Sequence, residues 1–149
     1  MSAERQFCTF HVGELYLGVD VLRVQEVIRA QPMTPVPLAP PVVRGLINLR
    51  GQIVTALDLR RRLALPDRAE TDPPPVNVVL LTDDGAVSLL ADEVGDVLTV
   101  SNSDFELPPG TLRGEARELI RGAYKLPERL LLILDPDRAV TLPPTDRRD

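Results

Sequence analysis

Two stretches of this chain read alike, and they set the tightest limit on its fold. Val43-Arg44-Gly45 returns 77 residues later as Ile120-Arg121-Gly122. At the same offset Leu49 meets Leu126, Ile53 meets Leu130, Leu57 meets Leu134, Asp58 meets Asp135 and Arg61 meets Arg138. Upstream, Val24, Glu26 and Val27 resemble Val94, Asp96 and Val97 at the shorter offset of 70. Two generic hairpins would share some of this by chance. The pattern, kept at both ends of each half, points instead to a duplicated small β unit. The 149 residues allow one domain or two very small ones, at ~100–200 residues per domain.

Hydrophobic alternation predicts short strands. Residues 6–12 alternate, with Cys8, Phe10 and Val12 on one face, and a Gly13-Glu14 turn returns the chain through Leu15–Val19 as a hairpin. Asp20 is placed to cap a short helix over Val21–Arg29, with Val21, Val24, Val27 and Ile28 on its apolar stripe. Gln31–Pro41 holds five of the 15 prolines and is neither helix nor central strand. Val43–Leu49, a turn at Arg50-Gly51-Gln52, and Ile53–Asp58 follow, then a short helical turn over Leu59–Leu65 and a proline-rich loop, Pro66–Pro75. The second half predicts strands over Val76–Leu81, Ala86–Ala91 and Asp96–Val100, an irregular Ser101–Glu115, a hairpin of Leu119–Lys125 and Arg129–Leu134, and a short helix at Asp135–Val140. Leu130–Leu134 is apolar on both faces. A strand covered on both sides fits between two packed barrels better than in one open sheet.

The composition narrows the function. No apolar run approaches the ~18–20 residues of a membrane span, and Met1–Gln6 is polar, so a cytoplasmic protein without membrane insertion is expected. One cysteine and one histidine support neither an internal disulfide framework nor a Cys/His metal cluster. A net charge of −5 with five aromatics and no Trp is a poor match for nucleic acid. His11 and Cys8 read as strand residues, and the adjacent carboxylates Asp83-Asp84 and Asp92-Glu93 lack the opposed geometry of an acid/base pair. Arg60-Arg61-Arg62 is either a solvated helical face or a phosphate or partner contact. No cofactor, metal or catalytic residue is expected, which leaves binding or scaffolding.

Pro41-Val42-Val43-Arg44-Gly45-Leu46-Ile47-Asn48-Leu49-Arg50-Gly51-Gln52-Ile53-Val54-Thr55-Ala56-Leu57-Asp58-Leu59-Arg60 strongly resembles the signature of the CheW family, the coupling proteins of bacterial chemotaxis. The resemblance extends from about Phe7 to Val140, with Val24–Ile28 as the family's helix. It implies a mainly β fold of two intertwined small SH3-like five-stranded β-barrels, with a shared hydrophobic core and a few short helices. One CheW-like domain is expected over residues 5–141. Its halves fall at about 6–66 and 76–140, with strand exchange between them, and a tail covers 142–149.

The resemblance also implies partners. These are the cytoplasmic tip of methyl-accepting chemoreceptors, the regulatory domain of a CheA-type histidine kinase, and other CheW-like proteins. The chain is then a stand-alone, non-enzymatic adaptor, or else a receptor-binding relative that does not recruit the kinase. Residues carried over to the receptor contact are Val24, Glu26, Gly45 and Arg50, joined through the repeat by Val94 and Val97. Gly51 and Ile53 are carried over to the kinase contact. Arg50 has two readings, a partner contact or a structural bond such as a salt bridge to Glu26. Thr55-Ala56 stands where many members have proline-valine, which leaves the fold intact and touches the kinase face.

Overall fold

A computed structural model describes residues 3–141, and the expected tail over 142–149 lies outside them. Ten strands and three short helices follow one another: β1 (Glu4–Val12), β2 (Leu15–Asp20), β3 (Val24–Ile28), β4 (Val43–Leu49), β5 (Gln52–Asp58), α1 (Leu59–Arg62), β6 (Val76–Thr82), β7 (Gly85–Ala91), β8 (Glu93–Ser101), α2 (Gly114–Leu119), β9 (Ile120–Lys125), β10 (Leu130–Leu134) and α3 (Pro136–Val140). They form two five-stranded sheets, ordered β8-β1-β2-β10-β9 and β3-β6-β7-β5-β4. Adding five to each strand number of the first order turns it into the second, with β8, β9 and β10 becoming β3, β4 and β5. Each sheet therefore draws strands from both halves of the chain. The mixed pairing is matched too, since β2–β10 and β5–β7 are the two parallel pairs.

The chain then joins the two outer strands of each sheet. After β3, Thr34 exchanges both backbone hydrogen bonds with Leu46 on β4, at 2.9 and 2.8 Å; after β8, Glu106 does the same with Ala123 on β9, both at 2.9 Å. The same device closes both sheets.

Three apolar clusters fill the molecule. The largest lies between the sheets and takes Phe10, Val12, Leu17, Val19, Leu132 and Leu134 from the first and Leu57, Val78, Leu80 and Leu89 from the second. Phe7, Tyr16, Tyr124, Leu131 and Ile133 fill the interior of the first sheet; Ile47, Leu49, Val54, Ala56, Val79 and Leu90 fill the second. β10 accordingly sends Leu132 and Leu134 to the shared core and Leu131 and Ile133 to a barrel interior, as its two-faced sequence predicts. Each fully buried leucine is worth ~1.5–3 kcal/mol, so β10 ties the two halves together.

Two expectations need correction. Val21–Arg29 is not a helix: a 3-10 turn covers Val21–Arg23, capped by Asp20 through Leu22 N, and the chain continues as β3. Val24 and Glu26 thus stand on a strand. The apolar spacing of this segment suits either period, and pairing with β6 decides, because β-branched Val24, Val27 and Ile28 fit a pleated edge. The polar stretch read as irregular ends in a helix, α2, introduced by Gly114 in a left-handed conformation (φ 60°).

Candidate functional site

The repeated residues are used in the scaffold. Asp58 caps α1 by accepting from Arg60 N at 3.0 Å and Arg61 N at 3.4 Å, and its other oxygen lies 3.3 Å from Arg44 and 3.7 Å from Arg61. Asp135 does the same for α3, with Arg121 at 3.3 Å and Arg138 at 3.8 Å. The paired Arg-Asp-Arg sets that mark the repeat are therefore one N-cap built twice.

Gly45 and Gly122 sit at the closures. A Cβ on Gly45 would lie 2.8 Å from the Thr34 carbonyl oxygen, and one on Gly122 would overlap the Phe105 ring and the Glu106 carbonyl. The close approach that the missing side chain of Gly45 permits is thus made by the chain's own segment.

The turn between β4 and β5 sets the geometry of the remaining positions. Leu49 pairs with Gln52, which leaves Arg50-Gly51 as a two-residue connection. Their φ values, 54° and 89°, are those of the type I′ turn, whose twist matches a hairpin. Asn48 fastens it by accepting from Gly51 N at 2.8 Å. The turn brings the Arg50 guanidinium onto the carboxylate of Glu26 on β3, across the closed sheet. Hydrogen bonds from Arg50 and from the Gln25 amide hold the Glu26 carboxyl below the usual glutamate range. Arg50 itself remains largely in solvent.

Beside this pair, Ile53 faces outward on β5 opposite Asn48 and is 61% exposed. Val24 is half-buried against the shared core. Val94 and Val97 are exposed on β8, in the other sheet, so they stand on a different surface element from Glu26 and Arg50. The structure joins Glu26 to Arg50 and sets Gly51 and Ile53 beside them. Sequence reasoning missed three prominent apolar side chains, Leu38 and Leu107 in segments without periodicity and Leu22 in the expected helix; all three are more exposed than Ile53.

The three consecutive arginines are all engaged within the chain. Arg60 binds Asp92 through two bonds of 3.0 and 2.7 Å, Arg61 meets Asp67, and Arg62 reaches Glu115 and the carbonyls of Arg138 and Ala139. Asp92 also accepts from Arg68 and Gly13 N, both at 2.7 Å, which fastens the loop after α1. Burial pushes the Asp92 carboxyl up, but these donors outweigh it and leave it below the ordinary aspartate range. Burial raises the Cys8 thiol, which is not a poised nucleophile. Among the described residues no cluster of His, Cys, Asp or Glu is placed to hold a metal, and no helix is long and apolar enough to cross a membrane.

Comparison with known proteins agrees with this architecture. The chain is 33% identical over 139 residues to the chemotaxis protein CheW of Bacillus subtilis, covering 91% of this chain and 88% of that one. It is 31% identical over 133 residues to the chemotaxis protein CheW of Treponema pallidum, covering 87% and 78%. Protein FrzA of Myxococcus xanthus is 34% identical over 113 residues, 76% and 69% of the two chains. The crystal structure of the scaffolding protein TtCheW from Thermoanaerobacter tengcongensis superposes with a TM-score of 0.78 at 24% identity, covering 89% of this chain and 90% of that one. With residues 6–143 matching the CheW-like domain, this chain belongs to the CheW-like domain family.

Proposed function

We propose that this protein is a non-enzymatic adaptor that couples chemoreceptors to a CheA-type histidine kinase, in the cytoplasm at a chemosensory array. The observation that carries the reading is the reach of the CheW-like domain, residues 6–143, which matches relatives named chemotaxis protein CheW over most of their length. Val24, Glu26 and Arg50 form the receptor contact, held in place by the closure at Gly45, and Val94 and Val97 extend it from the other sheet. An amphipathic helix, such as a receptor tip offers, docks by its apolar stripe beside such a mix of valines and a fixed charge pair. Gly51 and Ile53 form the kinase contact. An isoleucine left 61% exposed at a hairpin end gains most from burial against a partner.

Calorimetric titration with the kinase regulatory domain and with a soluble receptor tip tests the reading. Affinities near micromolar, about −8 kcal/mol, are expected for each. Ile53→Glu abolishes kinase binding and spares the receptor. A folded wild type that binds the receptor tip and not the kinase domain would make this a receptor-only accessory adaptor, and Ile53 an ordinary exposed strand residue.

A further inference from the structure

The chain's one histidine lies outside everything assigned above. His11 on β1 faces Tyr16 on β2, their rings stacked with centroids 4.8 Å apart. Arg129, just before β10, lays its guanidinium over the Tyr16 ring at 3.7 Å and places Nη1 3.1 Å from His11 Nε2. A guanidinium has only donors, so Nε2 accepts and the ring proton sits on Nδ1. That Nδ1 is buried and has no hydrogen-bond partner, a rare condition for a buried donor. Among the described residues Arg129 has no carboxylate within ion-pair distance.

His11 and Arg129 line a cavity of about 380 Å³, within the ~300–1,000 Å³ of small-molecule sites. Its apolar wall is Leu15, Leu112, Leu130 and Leu132, and Thr111 adds a hydroxyl. Glu14 also lines it, and one carboxylate in the wall disfavours ligands of higher negative charge such as phosphates. The neighbouring cavity of about 360 Å³ shares Tyr16 and Arg129 but is lined by two carboxylates, Asp96 and Glu128, which repel an anion.

We propose that the His11–Tyr16–Arg129 cavity is a binding site for a small monocarboxylate with an apolar body. The carboxylate accepts from the Arg129 guanidinium, and the hydrocarbon lies on the leucine wall. The site belongs to the sheet opposite the Glu26–Arg50 pair and stands apart from the adaptor reading.

Hexanoate and phenylacetate, titrated at fixed pH into the full chain with its histidine labelled, provide the test, because a single histidine gives a single set of ring resonances. At least one of the two acids is expected to shift them saturably, and its neutral amide to bind at least about tenfold more weakly. Arg129→Gln is expected to lower affinity for the acid about tenfold with the fold unchanged. Leu112→Trp, which fills the cavity, is expected to abolish binding, and it serves as the second variant should the first fail to fold. Absence of a saturable shift with both acids, equal binding of acid and amide, or unchanged binding in a folded variant overturns the proposal.

Discussion

Single residues in this protein divide between those that close the fold and those that face outward. Gly122 belongs to the first group, because a methyl there meets the Phe105 ring and the Glu106 carbonyl, whereas a Cβ on Gly110 meets nothing within 4 Å. Gly122→Ala is expected to cost about 1–3 kcal/mol, as overpacking does, and to lower the melting temperature by roughly 2–4 °C per kcal/mol; Gly110→Ala melts like the wild type. Glu26 belongs to the second group. Its carboxyl is held below the ordinary range in the folded protein by Arg50 first and Gln25 second. The pair's contribution is thus fully present above the unfolded glutamate value and fades as pH falls through the lowered folded value. In an NMR titration, Arg50→Ala is expected to bring the Glu26 carboxyl back up toward an unpaired glutamate. The resemblance had already set Glu26 beside Arg50 as a possible pair, but nothing in local spacing announced His11 with Arg129. Those two are 118 positions apart, and only the sheet order brings them together.

At the level of elements, the β4–β5 hairpin carries two requirements on one residue. Arg50 must take a positive φ of 54°, which costs a side chain roughly 1–2 kcal/mol, and it must also reach Glu26. Asparagine before glycine is the preferred type I′ pair. Arg50→Asn is therefore expected to melt at or above the wild-type temperature while binding the receptor tip more weakly, read by thermal scan and by calorimetry on one sample. A loss of both stability and binding would make the charge pair part of the scaffold. Apolar patterning and turn signals made most strands legible, β4, β7 and β10 nearly to the residue. They failed at β3, where Val21, Val24 and Ile28 also satisfy a helical stripe and only the vacant edge of β6 decides for a strand. They failed again at α2, six residues too short for a periodic signature.

For the whole molecule the exchange of strands sets the cooperativity. The first sheet needs β8, β9 and β10 from the second half, and the second needs β3, β4 and β5 from the first, so neither half contains a complete sheet. Separate peptides ending and beginning within the Pro66–Pro75 loop are expected to be unfolded alone and to regain strand signal when mixed, followed by circular dichroism and size exclusion. A half that folds by itself would refute this. The repeat and the two-faced β10 made two packed barrels legible in the sequence; which strand crosses to which sheet was not, because pairing partners are set by edges that local pattern does not encode. The matching sheet orders also describe a twofold object, equivalent to a pair of identical half-length chains that traded strands and were then spliced end to end. A symmetric pair of that kind would offer every surface twice. This chain does not: where the first half has Glu26, Arg50 and outward Ile53, the second has Asp96, Pro127 and half-buried Leu130. Symmetry survives in the N-caps and the closures and is broken on the outside, so one molecule presents two unlike faces and can stand between two different neighbours.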